Sequence, residues 1–423
     1  MIRIKRSAAF GTAVATGFAA QALVALTGPL VARMLGVRGR GEVSLVVVAG
    51  AIASQITFGG GLPNAIARQL AQRNIAGRDA LRRIAPRWVL PSLVPGVIAG
   101  VLVFLAENDV LETRAALGAA AFFFSFVTIW YSIMVGLLQG ERRIRALNLF
   151  RITPIGLYLI VLAAVYVADR RWEPIPVLAT FVGANVIGLA IGFRMLRVPT
   201  REAVHELDAR ELWSEARRTF IGSVGPVDGL LIDQAFVGGV LGQFELGLYA
   251  TANSLANLSS IVSRSIALVL LPRVSAATPG EMRAVVRRWI AASLVVDLFV
   301  VVVVEIVAGP VIRFAFGTAF AKAIPCAHVL IVSDGLLGFR RVLIAVLQGQ
   351  GRGAVASRVE AACMPVLIAG LIVATALGGL LAVAYCMAIV GAIACVSLAA
   401  CLARGTPTRE PKVTSLPDVA PIA

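Results

Sequence analysis

Charged side chains are scarce in this sequence of 423 residues: 15% are Asp, Glu, Lys or Arg, whereas 59% are hydrophobic. Soluble globular proteins carry roughly 25% charged and 45–50% apolar residues. An apolar excess of this size does not fit inside one core, because cores stop growing at roughly 250–300 residues. The composition therefore excludes an ordinary soluble protein and predicts that lipid surrounds much of the chain.

Metal ligands and phosphate-binding loops are also lacking. The two histidines, His205 and His328, are far apart, and none of the five cysteines is part of a CxxC pair. The glycine-rich stretches 39–42 and 349–353 lack the preceding strand and the GK[ST] ending of a P-loop. The sequence predicts no metal, no cofactor and no nucleotide.

Long apolar segments are abundant, and their length of about 20 residues suits an α-helix that crosses a bilayer. The predicted spans are 9–35, 43–70, 88–106, 115–138, 149–168, 175–196, 219–241, 246–271, 289–309, 324–347, 354–377 and 379–403. They predict an all-α polytopic membrane protein with about twelve transmembrane helices.

The spans form two sets of six that carry matching motifs in the same order. The offsets between matches are 206 to 211 residues. Leu35-Gly36 with Gly41 recurs as Leu241-Gly242 with Gly247, and Leu62-Pro63 recurs as Leu271-Pro272. Leu138-Gln139-Gly140 with Arg143 recurs as Leu347-Gln348-Gly349 with Arg352, and Pro154 recurs as Pro365. Because six is an even number, both sets enter the membrane from the same side. They predict parallel repeats related by an axis along the membrane normal.

The predicted organisation follows from these repeats. Residues 1–200 form a first six-helix lobe, 201–218 a connection, 219–403 a second six-helix lobe and 404–423 a disordered tail. The connection is charged and carries spaced Leu207, Leu212 and Trp213, a pattern typical of a helix on the membrane surface. We expect the two lobes to surround a central cavity.

Basic residues predict the orientation. With a cytoplasmic N-terminus, the cytoplasmic ends and connections carry 30 Lys and Arg residues and the opposite connections 8, when residues at helix ends are counted with the nearest connection. Both termini are therefore predicted to be cytoplasmic. The net charge of +16 is then explained by basic residues that set the topology and attract anionic lipids. No nucleic-acid partner is predicted.

Two segments carry a family resemblance, the stretch ARMLGVRGRGEVSLVVVAGAIASQITFGGGLPNAIAR at 32–68 and the stretch at 231–273. They resemble bacterial Wzx-like polysaccharide flippases of the multidrug/oligosaccharidyl-lipid/polysaccharide exporter superfamily, in which a short LGxxxxGE-type turn joins the first two helices. The resemblance implies a V-shaped transporter of the bacterial inner membrane, and no enzyme. Its substrate would be polyprenyl-pyrophosphate-linked oligosaccharide for cell-surface polysaccharide, moved by alternating access.

The motifs also have a purely structural interpretation. The glycines of LGxxxxG allow positive φ and close helix approach at a tight turn. The LQGxxR pattern predicts a cytoplasmic helix end at which the arginine caps backbone carbonyls.

Charges inside a membrane cost at least about 2.5–3.5 kcal/mol at a helix centre, so each needs a partner, a cavity or a function. Asp228 and Arg264 lie at similar depths in consecutive spans, which predicts an ion pair or a pyrophosphate site at Arg264. The two combine if Asp228 holds Arg264 while the site is empty and releases it when pyrophosphate binds. The candidates for substrate binding are Arg264, Arg68, Arg151 and Asn64. For Arg68 and Arg151 the alternative is a basic anchor at the cytoplasmic surface.

Carboxylates at membrane depth exchange protons or bind cations in coupled transporters. The candidates for H+ or Na+ coupling are Asp228, Asp233, Asp297 and Asp334, and Glu305 is a further acidic residue at such a depth. The alternative for each is a protonated acid that hydrogen bonds between helices.

Three rival functions follow from the same features. An ion-coupled drug/cation antiporter of the same superfamily would need an acidic, aromatic-lined cavity, which an aromatic content of 7% disfavours. A major-facilitator-type porter would need a glycine–aspartate–basic loop after its second helix, and 69–87 lacks one. A glycan polymerase would need a large outer loop, whereas all predicted outer loops are short.

Overall fold

The computed structural model describes residues 2–57, 61–73, 75–107, 110–168, 172–197, 211–214, 216, 230–275 and 279–404. Within these ranges the regular elements are all helical. We call the residues up to 197 the first half and those from 230 the second half.

The first half contains six helical elements. Their bounds are α1 Ile2–Thr57, α2 Gly61–Arg73, α3 Gly77–Ala106, α4 Leu111–Gly140, α5 Ile144–Val167 and α6 Pro174–Met195. α1 consists of two helices that meet at Gly36, whose φ of 70° and ψ of −171° are non-helical. The predicted turn between the first two spans therefore lies at the first glycine of the LGxxxxG motif.

The second half has the same kind of beginning. Its helices are α7 Ile232–Phe236, α8 Gln243–Ala256, α9 Ile261–Ser275, α10 Pro279–Val311, α11 Ile324–Gly349, α12 Gly353–Leu377 and α13 Gly379–Ala403. A π-helical turn, Val237–Leu241, ends at Gly242, whose φ of 93° and ψ of 176° resemble those of Gly36. A second π-helical turn, Ile312–Phe316, and a 3₁₀ turn, Thr318–Ala323, join α10 to α11.

Seven of the described helices are long and apolar enough to cross a membrane, or eight if the bent pair α8 and α9 forms one span. The spans predicted at 324–347, 354–377 and 379–403 agree with α11, α12 and α13 to within two residues at either end. α3 begins eleven residues before its predicted span, because helix continues into the polar Gly77–Arg87 stretch where hydropathy gives no signal. Residues 219–229 of the predicted span 219–241 and most of the connection 201–218 lie outside the described residues.

α10 shows the polarity expected of a helix in lipid. Its Leu294, Val295, Leu298 and Phe299 are 52% to 69% exposed, whereas Ser293 and Asp297 are at most 4% exposed. A water-soluble helix arranges its side chains the other way. The chain is a multi-pass membrane protein, and Ser293 and Asp297 of α10 point into the protein.

The arginines of the LQGxxR motifs occupy matching positions. Arg143 donates to the carbonyl of Met195, the last residue of α6. Arg352 donates to the carbonyl of Cys401 in the last turn of α13, at 2.8 Å. The residues before these arginines, Arg142 and Gly351, both have positive φ, 57° and 74°. The arginine of this motif caps backbone carbonyls in both halves, but the carbonyls are those of α6 and α13 rather than of the helix that the motif ends.

Glycine contacts show which positions of the two halves correspond. A Cβ on Gly140 would meet Ala67 and Leu70, and one on Gly349 would meet Leu271 and Val274. Because Gly140 and Gly349 are 209 residues apart, Ala67 corresponds to Leu271. The predicted match of Leu62-Pro63 with Leu271-Pro272 was therefore wrong as a structural equivalence, since the second LP pair lies about one helical turn later.

Candidate functional site

The two halves are in close contact where Gly36 and Gly242 turn the chain. A Cβ on Gly41 would collide with the carbonyl oxygen of Gln243, and a Cβ on Gly247 would collide with that of Val37. Gly41 and Gly247 are 206 residues apart, as are Val37 and Gln243, so the contact is reciprocal. Only residues without a side chain let the two backbones approach so closely. We call these two contacts the glycine crossing.

A buried arginine lies beside the glycine crossing. Arg40 is 6% exposed and donates to the carbonyl of Gly28 in its own half. It also donates to the Ala250 carbonyl at 3.2 Å and to the Ser254 hydroxyl at 2.8 Å in the second half. Its guanidinium lies 5.2 Å from the centre of the Phe316 ring. Arg40 therefore ties α1 to α8 and to the π-helical turn after α10 through neutral groups.

Two further polar contacts join the halves on the same side. Arg33 donates to the carbonyls of Phe314 and Ala315, the latter at 2.8 Å. Gln243 donates to Glu107, which follows the end of α3, at 3.1 Å. All of these contacts cluster where α3 and α10 end, so this side of the molecule is closed in the described conformation.

The candidates for substrate binding in the first half are accessible. Asn64 and Arg68 are exposed and, four residues apart, lie on one face of α2. Arg151 is exposed on α5, and its guanidinium lies within hydrogen-bonding reach of the Tyr131 hydroxyl on α4. The Tyr131 ring in turn stacks on Phe150, with ring centres 4.8 Å apart.

Arg264 is half-buried near the start of α9. It donates to the side-chain oxygen of Asn257, in the bend between α8 and α9, at 3.1 Å. Asp228, its predicted partner, lies outside the described residues.

The candidate carboxylates of the second half are buried beside hydroxyl groups. Asp233 accepts a hydrogen bond from Tyr249 at 2.7 Å, and both side chains are buried. Asp297 accepts one from Ser263, while its other oxygen is buried without a hydrogen-bond partner among the described residues. Asp334 is also buried, at 8% exposure. The predicted coupling residues are thus on separate helices, α7, α10 and α11.

Glu305 lies apart from the other carboxylates. It contacts the Nδ1 atom of His328, and this pair is only partly buried between α10 and α11. The histidine that seemed too isolated for a metal site thus has a carboxylate neighbour. No group of three or more His, Cys, Asp or Glu side chains that could hold a metal occurs in the described part of the chain.

Sequence reasoning missed a buried ion pair in the second half. Arg340 on α11 donates through one nitrogen to both oxygens of Glu360 on α12, at 2.9 and 2.7 Å, and the two residues are 1% and 7% exposed. Both residues lie inside the predicted spans 324–347 and 354–377, but neither was singled out. The sequence signal that could have revealed the pair is the placement of Arg340 and Glu360 at similar distances before and after the LQGxxR turn.

Solved structures define the class of protein. An inward-facing multidrug resistance MATE transporter of the MOP superfamily matches with a TM-score of 0.70 at 16% identity, over 91% of this chain and 96% of that one. An outward-facing transporter of the same description matches with a TM-score of 0.57 at 17% identity, over 94% of each chain. A MOP superfamily transporter from Pyrococcus furiosus, titled for the reverse polarity of its binding pocket, gives 0.58 at 15% identity over 94% of each. The chain has the fold of the MOP superfamily transporters.

A family model defines the chain more closely. The family described as "Polysaccharide biosynthesis protein" matches residues 10–278, and the chain belongs to this family. No curated protein sequence matches significantly. The resemblance to polysaccharide flippases inferred from 32–68 and 231–273 is confirmed. Family and fold together support a membrane transporter in polysaccharide biosynthesis.

Proposed function

We propose that this protein is a flippase that moves polyprenyl-pyrophosphate-linked oligosaccharide across the bacterial inner membrane for cell-surface polysaccharide synthesis. The observation that carries the proposal is the family match over 10–278. The half-buried guanidinium of Arg264, inside a bent membrane segment, supports it. An arginine offers planar paired donors for phosphate, and its attraction to phosphate strengthens where water is scarce.

Alternating access is the mechanism that we propose. Its supports are the glycine crossing and the contacts of Arg33, Arg40 and Gln243, which all join the halves on one side. By the distribution of basic residues, this side is extracytoplasmic. The halves would then act as two six-helix lobes, at 1–200 and 219–403, with a cavity open to the cytoplasm. Opening the outer side would exchange these contacts for equivalent ones near the cytoplasmic ends.

Coupling to an ion gradient is part of the proposal. Asp233 and Asp297 are buried carboxylates at membrane depth, each in contact with a hydroxyl group. A protonated carboxyl in such a place costs less than a charged one, so proton exchange there couples to conformation. Asp334 and Asp228 remain candidates for the same role.

The test uses a strain in which the chain is the sole exporter of a surface glycan. Arg264→Ala should abolish the surface glycan while the amount of protein in the membrane stays nearly unchanged. Arg264→Lys should restore part of the glycan, because the positive charge remains but the planar paired donors of the guanidinium are lost. Arg358→Ala, which removes an exposed arginine of α12, is the matched control and should export normally. Normal export by Arg264→Ala would remove the phosphate role.

Purified protein in liposomes tests the transport step itself. A fluorescent polyprenyl-pyrophosphate oligosaccharide should change leaflets faster with the wild-type chain than with Arg264→Ala. Imposing a pH gradient or a sodium gradient in separate samples identifies the coupling ion. Transport of organic cations instead of the lipid would support the alternative, an ion-coupled drug/cation antiporter.

A further inference from the structure

The buried ion pair of the second half occupies defined places relative to a helix turn. Arg340 lies nine residues before Gly349, the last residue of α11, and Glu360 lies seven residues after Gly353, the first residue of α12. At 1.5 Å per residue, both lie about 10–14 Å from the turn. The pair is neutral as a whole, because a full carboxylate faces the guanidinium.

The first half holds a different pair at the same two places. Tyr131 lies nine residues before Gly140, the last residue of α4, and Arg151 lies seven residues after Ile144, the first residue of α5. Both positions precede those of Arg340 and Glu360 by 209 residues, the offset that relates Gly140 to Gly349. Tyr131 and Arg151 are also in contact with each other. One interhelical polar contact is thus built from different residues in each half.

The two pairs differ in charge and accessibility. Arg340 and Glu360 are both buried and cancel, whereas Arg151 is exposed and its described partner is the neutral Tyr131. Tyr131 also holds the arginine in place, since its ring stacks on Phe150, which is fully buried. The first half therefore presents an oriented guanidinium with a neighbouring hydroxyl and no carboxylate among the described residues to neutralise it.

We propose that Arg151 and Tyr131 form a phosphate-binding site that takes the pyrophosphate of the lipid-linked substrate and has no counterpart at the matching place of the second half. This inference rests on the proposed function. The guanidinium provides paired N–H donors and the phenol an O–H donor, which together suit adjacent phosphate oxygens. In the second half, a carboxylate, Glu360, stands at the position that corresponds to Arg151, and it binds Arg340 and closes that place to anions.

A basic anchor at the cytoplasmic surface is the competing role for Arg151. An anchor interacts with any anionic headgroup and contributes to topology. A substrate site instead discriminates the pyrophosphate from bulk lipid. Binding measurements with both lipids therefore separate the two roles.

The test measures binding to the purified full-length protein in detergent. The probes are undecaprenyl pyrophosphate, inorganic pyrophosphate and phosphatidylglycerol. Arg151→Ala should weaken binding of undecaprenyl pyrophosphate about tenfold or more, and Tyr131→Phe about threefold, as expected for losing a charge-assisted and a neutral hydrogen bond. Inorganic pyrophosphate should show the same order of effects, and phosphatidylglycerol should bind equally to all variants.

Arg358→Ala is the matched control, because it removes the same charge from an exposed place on α12, and its affinities should equal those of the wild type. Arg151→Gln replaces Arg151→Ala if the alanine variant does not fold, as judged by its melting temperature. Unchanged binding of undecaprenyl pyrophosphate by the Arg151 variants overturns the site and leaves the proposed function intact. An equal loss of phosphatidylglycerol binding also overturns it, in favour of the anchor. A wild-type protein that binds no undecaprenyl pyrophosphate overturns both proposals.

Discussion

Single residues in this protein differ sharply in how their charge is balanced. Arg340 is almost fully buried against a carboxylate, and Arg40 is buried among backbone carbonyls, a hydroxyl and an aromatic ring. Both arrangements satisfy a guanidinium away from water, but only the first provides an opposite charge. Removing a partner from a buried pair leaves an uncompensated charge, which is far more costly than replacing both.

The Arg340–Glu360 pair gives a stability prediction. Glu360→Leu alone should destabilise the purified protein by about 3–5 kcal/mol, because Arg340 then remains charged and buried. Arg340→Leu combined with Glu360→Leu should cost clearly less, since an apolar pair leaves no unmatched charge. The measurement is the unfolding midpoint in detergent, with Arg358→Ala as the control. A double variant less stable than the single one would contradict this account.

At the scale of helices and turns, glycine sets how closely the two halves approach. The glycine crossing depends on Gly41 and Gly247, each of which has a backbone carbonyl of the other half where its Cβ would be. A backbone carbonyl held in a helix end does not move as cheaply as the tip of a side chain. The crossing should therefore be more sensitive to a single methyl group than most of the protein.

Gly41→Ala and Gly247→Ala should each destabilise the described conformation by about 1–3 kcal/mol or more, the usual cost of overpacking. Gly239→Ala is the control, because a Cβ there meets nothing within 4 Å and its φ is ordinary. The measurement is the labelling rate of a cysteine placed at Ser254, next to Arg40, which should rise only in the crossing variants. Equal rates in all three variants would show that the crossing does not hold the halves together.

The elements of this fold were predictable from sequence where hydrophobic runs mark them. α11, α12 and α13 follow their predicted spans closely, and Gly36 turns the chain where the LGxxxxG motif places it. The break between α8 and α9 was not predicted, because the serines and asparagine around 253–260 lie inside an otherwise apolar run. Helix bends of this kind depend on contacts with neighbouring helices rather than on local composition.

The candidate site was predictable only in part. Arg151, Arg264, Asp233 and Asp297 were identified because charge inside a membrane is costly wherever it occurs. Their partners were not identified, since Tyr131, Asn257, Tyr249 and Ser263 are uncharged residues that carry no such signal. Arg40 falls between the first two predicted spans, and its burial became visible only once the second half was packed against the first.

At the scale of the whole molecule, the remaining question is which side of the membrane the closed side faces. The contacts of Arg33, Arg40 and Gln243 lie on the side where α3 and α10 end. The bias of 30 to 8 basic residues predicts that this side faces the outside of the cell, because short positively charged connections are retained in the cytoplasm. The described conformation would then accept substrate from the cytoplasm.

Cysteine labelling of intact cells tests this orientation. In a variant whose five native cysteines are replaced, a cysteine at the exposed Thr318, between α10 and α11, should react with an impermeant thiol reagent. A cysteine at the exposed Arg287, near the start of α10, should react only after the cells are permeabilised. The two positions lie at opposite ends of one membrane-spanning helix, so each is the control for the other. The reverse pattern would invert the molecule, place the closed side in the cytoplasm and make the described conformation the one that releases substrate.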